Sequence, residues 1–221
     1  AATSGIARKR LSQVSTGAEG LSTGDNPRFV RHIWEVKLDE ERWVSYQGSP
    51  AASVPFAGLD YAVLWESGNG ALATSDGARI QGVGHLRRRG VLIGRMSTFR
   101  CAIYLGGLFD KSCVISVPNR ADDLGAIWQF AASGALEAAV RRVDTKVGAA
   151  TSTVLDAPID IDHWRGIAEG SPLPEPHSND PTQWLFKGGV TTSKRPLQVA
   201  MARLLGYRWP SQEPDDLDRF A

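Results

Sequence analysis

The sequence predicts an α+β fold with a curved, mostly antiparallel sheet, one long helix and a C-terminal helical appendage. Short runs rich in β-branched and aromatic residues, separated by Gly, Pro, Asn and Ser clusters, fill the first half of the chain. Apolar residues then recur at helical spacing after Asp122. With 221 residues, of which 42% are hydrophobic, the chain is long enough for one sizeable core or two small ones. We expect one domain with an appended tail.

Six segments are predicted as strands. The first begins at Phe29, directly after a polar turn, and its mixed alternation includes Trp34 and Val36. The other five are bounded by turn residues and are rich in residues that favour strands. The six segments span residues 29–37, 43–46, 60–65, 91–94, 98–105 and 113–117.

The long helix is predicted over residues 122–143. Its apolar residues, among them Leu124, Ile127 and Ala131, lie three or four positions apart, as on one face of a helix. Gly134 is a weak point midway, because glycine lowers helix stability. The change from strand spacing to helical spacing after Asp122 marks the point where the chain passes from strands to helices.

A short extended piece and a short helix are expected next. Residues 151–159 are predicted to be extended, and residues 160–168 to form a helix whose N-cap is Asp160 or Asp162. The cluster Asp-Ile-Asp-His at positions 160–163 is therefore interpreted as a helix start in preference to a metal site.

The C-terminal part begins with a proline-rich segment. Four prolines fall within residues 169–181, so residues 169–193 are predicted to be irregular. Residues 195–205 carry an apolar helical stripe that ends at Gly206. Residues 194–221 are thus predicted as a helix followed by an acidic tail, with the helix docked on the main body.

The charge of the chain is distributed unevenly. The net charge is only +1, yet residues 77–109 contain six arginines and no Asp or Glu. A local basic face is what contacts to nucleic-acid phosphates require. The alternative is a solvated arginine-rich loop without a partner. The arginines are Arg79, Arg87, Arg88, Arg89, Arg95 and Arg100.

Other classes of chemistry find little support in the sequence. No Cys or His pair has zinc-ligand spacing, and the two cysteines, Cys101 and Cys113, do not make a disulfide framework. Gly82 and Gly84 are not followed by a nucleotide-binding motif, and no serine lies in a nucleophile elbow. No apolar run approaches the roughly 20 residues that a membrane span needs. We expect reduced cysteines, a cytoplasmic location and no membrane partner.

The segment 20–29, Gly-Leu-Ser-Thr-Gly-Asp-Asn-Pro-Arg-Phe, resembles a segment of large adenine-specific DNA methyltransferases. These enzymes belong to type IIG restriction-modification and to BREX- or DISARM-like phage-defence systems. Further similar segments follow in the family's order, so the resemblance covers roughly residues 17 to 210. They lie at residues 28–36, 61–65, 89–97, 99–104, 107–110, 114–118, 180–186 and 196–210.

The resemblance implies that the chain is the DNA-reading part of a larger enzyme. Residues 1–19 would be a linker from a missing catalytic domain, and residues 20–168 the target-recognition domain. The family's catalytic motif has two consecutive prolines, whereas residues 26–29 read Asn-Pro-Arg-Phe. The implied fragment therefore has no catalytic residue and no cofactor or metal of its own. S-adenosylmethionine would bind to the parent enzyme, and the partners would be duplex DNA and the catalytic domain in cis.

The residues expected to contact DNA fall into four groups. A polar turn around Thr23 offers backbone amides, or else caps itself. The run of three arginines at 87–89 is expected to bind backbone phosphates, and Arg95 and Arg100 to read bases or phosphates. Alternatively, Arg95 pairs with an internal acid. The segment after the long helix, with Lys146 and Thr151, is expected to lie along the duplex or else to be a plain connection between a helix and a strand. The full set is Thr23, Gly24, Asn26, Arg87, Arg88, Arg89, Arg95, Ser97, Thr98, Arg100, Lys146 and Thr151.

Two further expectations concern the arginines and the tryptophans. We expect the guanidinium groups to gather on a single concave wall, which would form the face that meets DNA. Three tryptophans, Trp34, Trp65 and Trp128, are predicted to lie in the core, and Trp184 and Trp209 to anchor the tail.

The competing interpretation of the function is a protein-interaction domain that binds other defence-system subunits or a phage-encoded DNA mimic. An exposed apolar patch around the tail helix would favour it.

Overall fold

A computed structural model describes residues 9–39, 41–96 and 98–212, and it confirms the α+β class. Within these described ranges, the strands lie in two four-stranded sheets and one two-stranded ribbon. Neither four-stranded sheet is closed or strongly curled, so the predicted curvature is not confirmed. The strands are β1 (Lys9–Arg10), β2 (Ser15–Glu19), β3 (Val30–His32), β4 (Trp43–Gln47), β5 (Tyr61–Leu64), β6 (Gly90–Gly94), β7 (Cys101–Tyr104), β8 (Leu108–Phe109), β9 (Cys113–Pro118) and β10 (Pro158–Ile159).

Short and medium-length helices connect and cover these sheets. Single turns of 3-10 helix lie at Ile33–Glu35, Glu66–Gly68, Val83–His85 and Ala121–Asp123. The α-helices are α1 (Leu11–Val14), α2 (Asn26–Phe29), α3 (Leu124–Ala132), α4 (Ala135–Arg141), α5 (Thr151–Leu155), α6 (Ile161–Glu169) and α7 (Pro196–Leu204). Among the described residues, no helix is both long and apolar enough to cross a membrane.

The central sheet has the strand order β2-β9-β6-β7 and is antiparallel throughout. Every residue of β6, β7 and β9 is buried, which explains why these strands are almost continuously apolar. One face packs against α3, α4 and α6, and Ile115 lies on the other face, in a cluster that includes Phe109 of β8. The two cysteines lie on opposite faces: Cys101 joins the helix-covered cluster, and Cys113 joins the other. Both are free and buried.

The second sheet has the order β3-β5-β4-β8. Its only parallel pairing joins β4 to the two-residue strand β8, so the prediction of a mostly antiparallel arrangement is confirmed. A separate apolar cluster, called here the second cluster, lies on this sheet and includes Phe29, Tyr46 and Val63. The structure therefore contains two four-stranded sheets where the sequence predicted one.

The prediction of a single long helix over residues 122–143 is wrong, because the chain forms two helices there. Gly134 separates α3 from α4 and has φ +85°, a left-handed conformation that glycine adopts without steric cost. The weak point identified in the sequence is thus a break.

The bidentate contact of Arg165 with Asp123, at 2.7 and 3.0 Å, joins α6 to the start of α3.

Three other local predictions can be compared with the structure. Residues 151–159 were expected to be extended, but α5 occupies their first half and only Pro158–Ile159 is a strand. The helix predicted at 160–168 is confirmed as α6, and the Asp160 carboxylate accepts from the backbone N–H of His163 at 3.2 Å. Within residues 29–37, predicted as one strand, only Val30–His32 form a strand and Ile33–Glu35 form a 3-10 turn, since the chain bends after His32.

The part of segment 1–19 that the structure describes differs from a linker. From Lys9 onward it forms β1, α1 and β2, and β2 is an edge strand of the central sheet. Leu11 is fully buried in the main core. Residues 1–8 and the acidic tail from residue 213 lie outside the described residues. The N-terminal segment from residue 9 is therefore part of the packed fold.

The C-terminal segment packs on the main body, as predicted. Trp209 is 4% exposed, and its indole N–H donates to the carbonyl of Pro181 at 2.8 Å. The Tyr207 hydroxyl donates to the carbonyl of Ile33 at 3.0 Å. Together with Phe186 and Val199 these residues form a fourth apolar cluster, against which Trp184 also packs.

The tryptophans predicted for the core behave differently from one another. Trp128 is buried, at 6% exposure, and Trp65 is half-buried against the second cluster. The prediction for Trp34 is wrong, since 44% of this residue is exposed. Its ring stacks on His32 at 4.3 Å between centroids, because the 3-10 turn directs it away from the core.

Candidate nucleic-acid interface

The loop that carries Arg87, Arg88 and Arg89 has a defined conformation. Arg87 has φ +64°, which is uncommon for a residue with a side chain. Its backbone N–H donates to the carbonyl of Gly106 at 2.8 Å. The Tyr104 hydroxyl lies 2.6 Å from the carbonyl of Gly107 and supports the same turn. The strain at Arg87 is therefore balanced by bonds to the β7–β8 connection.

All three arginines of this loop are exposed. None of them forms a salt bridge with an acid in the described part of the chain, and Arg88 Nη1 donates to the Thr16 hydroxyl at 3.5 Å. The pKa of His85, in the same loop, is lowered by burial and by the positive charge of Arg88. The loop thus presents three guanidinium groups to solvent without neutralising them.

Arg95 occupies a different environment. Its guanidinium donates to the Glu19 carboxylate at 2.5 Å, and the two side chains are 21% and 31% exposed. The Thr151 hydroxyl donates to the other oxygen of Glu19 at 3.4 Å. The alternative in which Arg95 pairs with an internal acid is therefore the arrangement in this structure. Arg95 and Thr151 are close together because they share Glu19.

The arginines expected on a single concave wall are divided between the two ends of β6. Arg87, Arg88 and Arg89 precede β6 and Arg95 follows it, so the two groups lie at opposite ends of a five-residue strand. At about 3.3 Å per residue, this separation is roughly 17 Å. Arg100 belongs to the Arg95 end, where its carbonyl accepts from the Gly94 N–H at 2.8 Å.

The remaining predicted residues near the Arg95 end are dispersed. Arg100 is exposed, and its guanidinium donates to the carbonyl of Ala51. Thr98 is exposed, and Ser97 lies outside the described residues. Lys146 is exposed in the connection between α4 and α5, and its backbone N–H donates to Asp144 at 3.0 Å. These residues do not form one compact site.

The polar turn around Thr23 caps itself. The buried Thr23 hydroxyl donates to the side-chain oxygen of Asn26, and the Asp25 carboxylate accepts from the backbone N–H of Arg28 at 3.2 Å. Gly24 has φ +71°, and a Cβ there would lie 2.5 Å from the backbone of Gly77. The self-capped alternative is the one observed, with its polar side chains already engaged.

A groove beside this turn contains several titratable groups. Its volume is about 410 Å³, and its lining includes Arg31, His32, Tyr61 and Asp110. His32 stacks between Trp34 and Tyr61, and the Asp110 carboxylate accepts from the Tyr46 hydroxyl at 2.9 Å. These contacts hold the groups against neighbouring residues. Within the described residues, no group of three or more His, Cys, Asp or Glu side chains has the geometry to hold a metal.

A second groove was missed in the sequence. It adjoins Arg87, has a volume of about 580 Å³ and is called here the tryptophan groove. Its lining residues include Ser45, Leu86, Arg87 and three tryptophans, Trp43, Trp65 and Trp184. The tryptophans are separated by up to 141 positions, so sequence spacing gives no sign that they meet. The proximity of the arginine loop to an aromatic groove is a product of the fold.

A comparison of this chain with protein-family models and with curated proteins finds no match.

Proposed function

We propose that the chain is the target-recognition part of an adenine-specific DNA methyltransferase of a restriction-modification or phage-defence system. In this proposal it binds duplex DNA in the cytoplasm and helps to present an adenine for flipping. A separate catalytic domain in cis transfers the methyl group from S-adenosylmethionine. The support is the ordered set of similar segments between residues 17 and 210 together with the chemistry of the arginine loop.

The observation that carries the proposal is the state of Arg87, Arg88 and Arg89. Three adjacent exposed guanidinium groups without acidic partners in the described part of the chain repel one another, and an anionic partner would relieve that repulsion. Phosphates along one strand of a duplex provide such charges in a row. The fixed turn at Arg87 reduces the conformational entropy lost on binding.

The test is the salt dependence of binding to a labelled duplex. We expect the affinity of the wild-type chain to fall steeply between about 50 and about 200 mM salt, with a slope of about −0.9 per phosphate contact. The triple variant Arg87→Ala/Arg88→Ala/Arg89→Ala should bind all duplexes more weakly, and its slope should be shallower by up to about 2.7.

A matched control removes three other exposed cations, Arg142, Lys187 and Arg195. This variant has the same net charge as the loop variant but keeps the loop. If both triple variants lose the same affinity and the same slope, binding depends on overall charge, and the proposed interface is wrong. If the wild-type chain does not bind duplex DNA at low salt, the proposed function itself fails.

One observation favours a second candidate, a protein-interaction function. Helix α7 exposes Leu197 (76%), Met201 (51%) and Leu204 (55%), and Leu205 after it is 81% exposed. These positions are spaced as i, i+4, i+7 and i+8, so they form one apolar stripe. Lys194 and Arg195 lie at its N-terminal end. A subunit with an apolar groove and an acidic rim would fit this stripe.

The two candidates are separated by the double variant Leu197→Gln/Leu205→Gln. If α7 serves a protein partner, this variant loses association with the other subunits of the parent system in sedimentation experiments and keeps its affinity for duplex DNA. Loss of DNA binding in the variant, with unchanged association, would contradict the protein-interaction candidate.

A further inference from the structure

The tryptophan groove has a charge pattern that selects for an anion. Arg87 is the cation in its lining, and among the described residues no Asp or Glu lines it. Arg88 and Arg89 follow immediately and are exposed. Three tryptophans and one arginine therefore line the same groove, which suits a ligand with a flat ring and a negative charge.

We propose that the tryptophan groove binds an unpaired nucleotide, with the base stacked on an indole and the phosphate bound by Arg87. Stacking between a base and an aromatic side chain is tolerant of sequence because every base has a π-face. In a duplex both faces of a base are covered by its neighbours, so only an extrahelical or single-stranded nucleotide can enter. The proposal deepens the proposed function, on which it rests for nucleic acid as the ligand.

The three indoles contribute unequally to the fold, which identifies the best variant. Trp65 packs against the second apolar cluster and Trp184 against the fourth. Trp43 belongs to none of the four clusters, although it is half-buried. Truncation of Trp43 therefore removes groove surface at the smallest cost to the core. Trp34 is the matched control, because it is a partly exposed tryptophan outside the groove lining.

The experiment compares two labelled duplexes that differ only in one bulged, unpaired nucleotide. We expect the wild-type chain to bind the bulged duplex about 5- to 150-fold more tightly, which corresponds to one base stacked on an aromatic side chain. Trp43→Ala should remove this preference and leave the affinity for the paired duplex within about twofold, since stacking contributes only to the unpaired base. Trp34→Ala should keep the preference.

A second variant protects the test against misfolding. Pro210 lines the groove from the C-terminal segment and is exposed, so Pro210→Glu places a carboxylate at the groove with little effect on packing. We expect this variant to lose the preference for the bulged duplex as well. Retention of the full preference in Pro210→Glu and in folded Trp43→Ala would overturn the proposal.

The outcomes for this inference and for the proposed function can be distinguished. Equal, salt-dependent binding of both duplexes by the wild-type chain would overturn the nucleotide site and leave duplex recognition intact. Binding of the bulged duplex alone would support the nucleotide site and contradict duplex recognition. If neither duplex binds and a protein subunit shields Trp43 from a fluorescence quencher, the groove is a protein site and the proposal is wrong.

Discussion

The guanidinium of Arg95 and the carboxylate of Glu19 meet at 2.5 Å across the width of one strand. Glu19 ends β2, Arg95 follows β6, and β9 lies between these strands in the sheet. The pair therefore ties together two strands that do not hydrogen-bond to each other. This ion pair makes Arg95 part of the scaffold. The loop of Arg87, Arg88 and Arg89 therefore presents more exposed positive charge than Arg95 does.

The first prediction concerns this ion pair. We expect Arg95→Ala to lower the free energy of unfolding by about 1 kcal/mol, because the pair is only partly shielded from solvent. In a double-mutant cycle with Glu19→Gln, measured by denaturant unfolding, most of this loss should appear as coupling energy. Arg95→Ala should also weaken duplex binding less than Arg88→Ala does. A changed preference among duplexes with unchanged stability would instead favour base reading by Arg95.

The second prediction concerns the polar turn. Gly24→Ala introduces a side chain at φ +71° and within 2.5 Å of the Gly77 backbone, so we expect a loss of about 1–3 kcal/mol in the free energy of unfolding. Gly84→Ala is the control, since a Cβ there meets nothing within 4 Å and φ is not positive. Thermal and denaturant unfolding of both variants would check this. Equal stability of the two would show that the turn tolerates a side chain.

The third prediction compares two faces of α7. Leu197 is 76% exposed, so Leu197→Gln should change the free energy of unfolding by no more than about 0.5 kcal/mol. Val199 is fully buried in the fourth cluster, and Val199→Ala should cost about 2 kcal/mol through lost burial and an unfilled cavity. If the two variants were equally destabilised in denaturant, Leu197 would be packed in solution and the stripe would not be free for a partner.

The fourth prediction concerns the two thiols. Burial raises the pKa of Cys101 to about 11 and that of Cys113 to about 12, from an ordinary value of 9.0. Because the thiolate is the reactive form, both should react with a disulfide reagent near pH 8 only when the chain opens, and rapidly in denaturant. Rapid labelling of the folded protein would contradict this placement.

The same shifts set the direction of a pH effect. The folded state keeps the two thiol protons to a higher pH than the unfolded state does. Below about pH 9, both states hold these protons, and ionisation of the two thiols does not lower the free energy of unfolding. We expect the free energy of unfolding to fall as the pH rises from about 9 towards 12. Unfolding curves of Cys101→Ala, which lacks one of the titrating groups, provide the comparison.

Short-range patterns were sufficient for much of the fold. The strand at 91–94 and the helix capped by Asp160 were predicted correctly, because runs of apolar β-branched residues and an N-cap carboxylate act within a few positions. The break at Gly134 was identified as a weak point but not as a boundary. Local propensity gives the cost of glycine in a helix, whereas packing decides whether the helix continues through it.

For the candidate site, the basic segment and the run of three arginines can be recognised without the fold. The fold is needed to show that Glu19 pairs with Arg95, that the arginines separate to the two ends of β6, and that Trp43, Trp65 and Trp184 line one groove beside Arg87. Charge and hydrophobic period are properties of neighbouring positions. Pairing and enclosure depend on which distant strands become neighbours, and that is set by burial of the whole core.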